Sequence, residues 1–211
     1  VLGTHDLPLF VLSGLLLNLT PGPDTLYIVG RSTTQGWRAG AVAALGIGAG
    51  IFVHITAAAI GLSAILAASA TAFTVIKIAG AIYLVYVGIS LLRSSRPTGR
   101  EPAATPAPAS FRTLFLQGFL TNVLNPKVAL FFLAFLPQFV EPHAPSKALS
   151  FLFLGAIFNL NGTLWNLSVA WFAARIGGAA VRDGAFSRWF NRCVGGLFIW
   201  LGLRLAFSRA D

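Results

Sequence analysis

Asp24 is the only acid within any apolar stretch of this chain, and Lys127 is the only cation near the middle of one. Each stands beside a proline interruption, Pro21-Gly22-Pro23 in one case and Asn125-Pro126 in the other. A charge at the centre of a bilayer costs about 2.5–3.5 kcal/mol on insertion scales, so such residues are rarely idle. The chemistry open to them is binding of a charged solute and carriage of a proton. The structural alternatives are an ion pair between the two, or Asp24 serving as a cap for the half-helix after Pro23.

The backbone around them points the same way. Pro21, Pro23 and Pro126 have no N–H, which leaves the carbonyls of Leu17, Leu19 and Asn122 without helical donors. Unpaired backbone at membrane depth is tolerated where protein, water or ligand satisfies it. Thr20-Pro21 and Asn125-Pro126 both read as an N-cap followed by the first residue of a new helix. Two half-helix N-termini near the midplane present free N–H groups and a partial positive charge, a setting suited to a carboxylate. Gly22 lets a ligand approach the backbone closely, and Asn18, Asn122 and Asn125 can orient it. The bland alternative is two simple proline kinks.

The elements that must hold these residues are membrane helices. Of 211 residues, 56% are hydrophobic and 10% charged, against about 25% charged in an ordinary soluble domain. Six spans of about 20 apolar residues would take up nearly all of that apolar content. A soluble enzyme, a disordered chain and a disulfide scaffold are excluded. The apolar segments run roughly 7–30, 40–67, 71–92, 112–139, 148–174 and 190–207. The first lacks the basic flank and small-residue cleavage site of a signal peptide and reads as a retained span.

Residues 93–110 are rich in Pro, Ala and scattered charge and read as a linker. It divides a single transmembrane domain, 1–211, into a first repeat of about 1–92 and a second of about 111–211. Asn18 precedes Pro21 as Asn122 precedes Pro126, and Lys77-Ile-Ala-Gly80 aligns with Arg192-Cys-Val-Gly195. An odd number of spans per half inserts the second half upside down. The expected fold is all-α: six transmembrane helices as two inverted three-helix repeats, with the first and fourth helices broken. With six spans, ten arginines fall on the linker's side of the membrane and four cations on the other. That split puts the linker in the cytoplasm and both termini in the periplasm.

The remaining polar residues are less decisive. His54, near the middle of the second span, could relay protons or bond between helices. Asn159, Asn161 and Asn166 could line a path or act as interhelical glue. Gly46, Gly48 and Gly50 form a packing face, and Trp37, Trp189, Trp200, Tyr83 and Tyr86 read as interface anchors or lipid contacts. The net charge of +9 is explained by membrane orientation rather than nucleic acid. Cys193 is the only cysteine, so a disulfide and a thiolate cluster within the chain are excluded. There is no phosphate-binding Gly-x-x-x-x-Gly-Lys loop, no metal-binding cluster and no Gly-x-Ser-x-Gly context for Ser13 and His54 to act as a hydrolase. Neither cofactor nor metal is expected.

Asn18-Leu-Thr-Pro-Gly-Pro-Asp24, Gly36 with Gly40, Ile78-Ala-Gly-Ala-Ile-Tyr-Leu-Val-Tyr-Val-Gly88, Asn125-Pro-Lys127 and Leu136-Pro-Gln-Phe139 together resemble the motifs of the LysE/RhtB family of amino-acid exporters. The resemblance covers nearly the whole chain. It implies a bacterial inner-membrane transporter that exports amino acids, driven by the proton gradient, and not an enzyme. In that scheme Asp24 carries the coupling proton or binds the substrate ammonium, with His54 a secondary candidate for coupling. Lys127 and the half-helix ends hold the carboxylate, and Asn18, Asn122 and Asn125 orient it. The spans offer no second acid, which favours neutral substrates. A passive channel with the same central site is the alternative reading, a membrane enzyme a remote third, and homo-oligomerisation is left open.

Overall fold

The computed structural model describes residues 2–62, 108–141 and 143–176, with isolated helical positions between 71 and 92 and between 192 and 203. The segments expected at 71–92 and 190–207, and the alignment of Lys77 with Arg192, lie outside the described residues as continuous elements. So does most of the linker.

The first expected segment is two helices, α1 (Leu7–Leu19) and α2 (Pro23–Gln35). Pro8 near the start of α1 and Pro23 at the start of α2 occupy first-turn positions, where the missing N–H costs nothing. Gly36 ends α2 at φ +83°, a left-handed conformation that glycine adopts freely, and lets the chain reverse at once into α3 (Trp37–Ala57). A π-helical turn, Ala58–Leu62, prolongs α3. In the second half Ser110 caps α4 (Phe111–Val123) by accepting from the Thr113 N–H at 3.2 Å. A break at Leu124-Asn125 leads to α5 (Pro126–Ala134), a 3₁₀ turn (Leu136–Phe139) and α6 (Lys147–Ile176). Each half thus runs as a broken helix followed by a long one.

Two of these helices, Trp37–Leu62 and Lys147–Arg175, are long and apolar enough to cross a membrane. The bent pair Phe111–Val123 and Pro126–Phe139, 49° apart, makes a third if it is one broken span. At 13 residues, α1 is about 20 Å long, shorter than the hydrocarbon core of about 30 Å. The chain is a membrane protein, with two or three spans among the described residues.

Packing differs on the two sides of the breaks. On one side Phe10, Phe131, Phe132, Phe135, Phe139 and Phe158 form a buried aromatic cluster with α3's Ile51 and Ile55. Ring centroids there lie as close as 4.8 Å, for Phe135 and Phe139. The N-terminal segment is fastened over this end: the His5 N–H donates to the Phe139 carbonyl at 3.1 Å, and the Glu141 N–H to that of Gly3 at 2.9 Å. On the other side the layer is thinner, of Ile28, Ala43, Ala44, Ile47 and Ala170.

Glycines let α3 lie against its neighbours with backbone nearly in contact. A Cβ at Gly46 would run into the Phe115 carbonyl, and one at Gly118 into the Ala43 carbonyl. Gly48 turns the other way, toward Thr163 of α6. The three glycines therefore serve packing, but not as the single face expected: Gly46 and Gly50 lie against α4 and Gly48 against α6. Trp37 and Trp200 are half exposed, in keeping with lipid contact, while Trp189 and Tyr83 lie outside the described residues.

Gly118→Val should lower the thermal unfolding temperature of the detergent-purified protein, since added bulk in a tight contact costs about 1–3 kcal/mol. Gly30→Ala, at a position with open space around it, should leave that temperature nearly unchanged. Equal effects of the two would contradict the close α3–α4 approach.

Candidate functional site

The two breaks meet, and each is completed by the other. Where α1 ends, the Thr20 N–H and hydroxyl both turn back, the hydroxyl donating to the Leu16 carbonyl at 2.8 Å. Thr20 therefore closes α1 and does not start the next helix. The chain crosses Pro21-Gly22 in extended form and the helix resumes at Pro23, two residues later than Thr20-Pro21 had suggested. Asn125-Pro126 behaves as expected: the Asn125 side chain accepts from the Lys127 N–H at 3.0 Å and caps α5.

Lys127 then reaches across to the first break. Its ammonium donates to the Leu17 carbonyl at 2.8 Å and to the Thr20 carbonyl at 2.7 Å. The first of these is the acceptor that Pro21 deprives of its usual i+4 donor and that otherwise has only the Thr20 N–H, at 3.1 Å, and both belong to the negative end of the α1 dipole. In the other direction Asn122, just before the second break and 0% exposed, donates from Nδ2 to Asp24 Oδ2 at 2.8 Å, just after the first. The carbonyl of Asn122, orphaned by Pro126, accepts from the Asn125 N–H at 2.9 Å and from His54 Nε2 at 3.0 Å. His54 also stacks on Phe132, centroids 6.0 Å apart.

Asp24 and Lys127 are thus neighbours without being an ion pair. The ammonium is held by carbonyls and the carboxylate by an amide. The physical reason is that an unpaired carbonyl in a low-dielectric interior is as demanding as a carboxylate that already has a donor.

These groups enclose a cavity of about 20 Å³, lined by Asn18, Gly22, Asp24, Thr25, Asn122, Asn125 and Lys127 on the polar side. Leu17, Ile47, Ile51, Val128 and Phe158 line the apolar side, with Asn166. It lies near the middle of α6, since Phe158 and Asn166 each stand about 15 Å along the axis from the nearer helix end. A space of that size holds about one water, so a larger solute enters only when the helices part. Among the described residues, five buried side-chain polar atoms have no hydrogen-bond partner, and three of them line this cavity: Asn18 Nδ2, Asp24 Oδ1 and Asn122 Oδ1. The other two are Ser13 Oγ and Ser32 Oγ.

The structure gathers nearly every residue singled out from the sequence. His54 stands behind Asn122, and Pro21, Pro23 and Pro126 form the breaks themselves. Asn159 instead accepts from Thr163 on its own helix at 3.2 Å. Sequence reasoning missed Gly162, whose bare face makes room for Asn18: a Cβ there would stand 3.1 Å from Asn18 Nδ2. It also missed a polar latch between α2 and α4, in which Gln117 Oε1 accepts from Tyr27 at 3.0 Å and Arg31 at 2.9 Å. Beyond it, Gln35 bonds both the N–H and the carbonyl of Ala109. Neither follows a recognisable spacing; both come from tertiary approach.

Lys127→Met should lower the thermal stability of the purified protein by about 1–3 kcal/mol, because two buried carbonyls lose their charged donor. Unchanged stability would show that the Leu17 and Thr20 carbonyls do not depend on the ammonium.

Comparison with known proteins gives a consistent picture. The family model described as LysE type translocator matches residues 15–209. An uncharacterized membrane protein of Pseudomonas aeruginosa is 33% identical, over 97% of this chain and 96% of its own length. The homoserine/homoserine lactone efflux protein of Salmonella typhi is 31% identical, over 95% of each chain. The leucine efflux protein of Salmonella choleraesuis is 28% identical, over 72% of this chain and 71% of its own. No solved structure matches.

Proposed function

Because the chain belongs to the LysE type translocator family, whose members are transporters and not enzymes, we propose that it exports neutral amino acids across the bacterial inner membrane in exchange for protons. The observation that carries this reading is the trio of unpartnered atoms around one cavity. Asp24 Oδ1 and Asn122 Oδ1 are acceptors, suited to an ammonium; Asn18 Nδ2 is a donor, suited to a carboxylate. A zwitterionic amino acid presents that complement. The α2 N-terminus at Gly22-Pro23 adds helix-dipole attraction for the carboxylate, and Lys127, with two of its three N–H bonds given to carbonyls, retains one.

In this mechanism the substrate ammonium and a proton compete for Asp24. Binding the amino acid requires the ionised carboxylate, so a proton must leave first; release of the amino acid on the far side lets a proton return. Export and proton entry are thereby exchanged at one atom. His54, bonded to the Asn122 carbonyl, adjoins this network. Asp24 is the one acid among the lining residues, and a cationic side chain would bring a second charge without a partner. Neutral substrates follow from that, and the homoserine and leucine efflux relatives accord with it. A cavity with room for about one water, which must widen to admit an amino acid, favours a carrier over a passive channel.

The inverted-repeat reading gains support from the shared order of broken helix and long helix in each half. It gains more from the reciprocity of the breaks, where the residue after each one serves the residues before the other. With six spans, the cation distribution puts the linker in the cytoplasm and both termini outside.

In proteoliposomes with an imposed proton gradient, the wild type should accumulate leucine or threonine against its gradient and transport lysine most slowly. Asp24→Asn should lose the uphill movement while inserting normally. Uphill transport by Asp24→Asn at the wild-type rate would remove Asp24 from coupling, and lysine moving fastest would sink the preference for neutral substrates. Separately, a reporter inserted in the 93–110 linker should be active in the cytoplasm and one fused after Asp211 in the periplasm. A cytoplasmic signal from the second would contradict the six-span count.

A further inference from the structure

Asn166 differs from the other asparagines of α6. It is 7% exposed, it lines the cavity, and its amide makes no hydrogen bond within the protein. Asn159, equally buried, accepts from Thr163 and has a structural task. A side-chain amide offers two donors and an acceptor oxygen with two lone pairs; at the cavity wall these are left for something else to meet.

The position of Asn166 says what that something is. Phe158, Gly162 and Asn166 follow at i, i+4 and i+8 and share one face of α6. Gly162, in the middle, is the residue against which Asn18 rests. Phe158 stands one turn to the side of the aromatic cluster and Asn166 one turn to the other side, about 6 Å along the axis from Gly162 in each case. The groups suited to the ammonium and carboxylate, Asp24, Asn122 and Asn18, are already accounted for. Asn125 and Lys127 are committed to the breaks; what remains of the wall is Gly22, the apolar Leu17, Ile47, Ile51, Val128 and Phe158, Thr25 next to Asp24, and Asn166. A substrate side chain meets a largely hydrocarbon wall in which Asn166 supplies an amide.

We propose that Asn166 is a specificity-determining residue that reads the substrate's side chain, favouring an uncharged hydroxyl or carbonyl oxygen over an aliphatic group of the same size. The inference rests on the reading of this cavity as an amino-acid site and adds to it the selection among neutral substrates. The physical basis is asymmetric. A hydroxyl satisfies the amide, whereas an isosteric methyl leaves it buried and unpaired, and sites built to bond a hydroxyl reject the analogue that lacks one. With Asn166 replaced by an aliphatic residue the wall loses that amide, and the preference disappears.

The test uses isosteric pairs in counterflow with the purified full chain in proteoliposomes: homoserine against norvaline, and threonine against valine. The wild type should favour the hydroxylated member of each pair by about tenfold in kcat/KM, the worth of one neutral hydrogen bond. Asn166→Leu should bring each ratio near one, chiefly by raising KM for homoserine and threonine, while norvaline and valine move as well as before or better. Asn166→Ser, which keeps a hydroxyl, should retain part of the preference and supplies the measurement if Asn166→Leu does not fold. A wild type without preference, or variants with unchanged ratios, would overturn the role of Asn166 and leave the exporter reading intact. Failure of the wild type to move any of the four would overturn both.

Discussion

A helix interrupted by proline inside a membrane has carbonyls short of their usual helical donors, and the rest of this structure is arranged around that requirement. The Leu17 and Thr20 carbonyls end α1, and the ammonium of Lys127 meets both. The carbonyl of Asn122 ends α4 in the same predicament and is met by His54 and by Asn125. Because these donors come from other parts of the chain, the breaks cannot be satisfied unless α1, α3, α4 and α5 converge. The glycines of α3 and Gly118 of α4 are what allow the convergence, by letting backbones approach without intervening side chains. Packing and polar satisfaction are one constraint seen from two sides.

The same arrangement leaves the site polar but narrow. Asp24, Asn18 and Asn122 keep one atom each turned to a cavity that holds about one water. The walls above and below differ in kind. One is a block of phenylalanines over which the N-terminal segment is fastened; the other is a thin alanine and isoleucine layer, next to which Tyr27, Arg31 and Gln117 bind α2 to α4. Helix α2 belongs to both regions, with Asp24 at one end and Gln35 tied to Ala109 at the other. A change at Asp24 is therefore mechanically connected to the α2–α4 latch through one rigid helix.

Much of this was legible in the residues. The proline pairs located the breaks, and the isolated charges beside them located the site, because composition forces such features to be exceptional in an apolar chain. The C-terminal half of the reading at Asn125-Pro126 held because an asparagine before a proline can cap only in one direction. At Thr20-Pro21 two uses of the threonine competed, and closing the old helix won over opening the new one, since its hydroxyl reaches Leu16 on the helix already formed. The ion pair between Asp24 and Lys127, the structural alternative raised from charge alone, does not form. Sequence inspection counts charges but not the carbonyls at a helix break, and Lys127 answers to the latter. Gly162 and the Tyr27–Gln117–Arg31 latch could not be read at all, since they depend on which helices touch.

The cross-bracing of the breaks has a consequence for how the protein is made. The partners are far apart in the chain: 98 residues separate Asp24 from Asn122, and 110 separate Leu17 from Lys127. At elongation rates of about 5–20 residues per second, the first half waits roughly 5–20 s in or beside the bilayer before its donors are synthesised. During that interval the Asp24 carboxylate lacks the Asn122 amide and the Leu17 and Thr20 carbonyls lack the Lys127 ammonium, so the polar contacts of the first break form only after the second half has been synthesised.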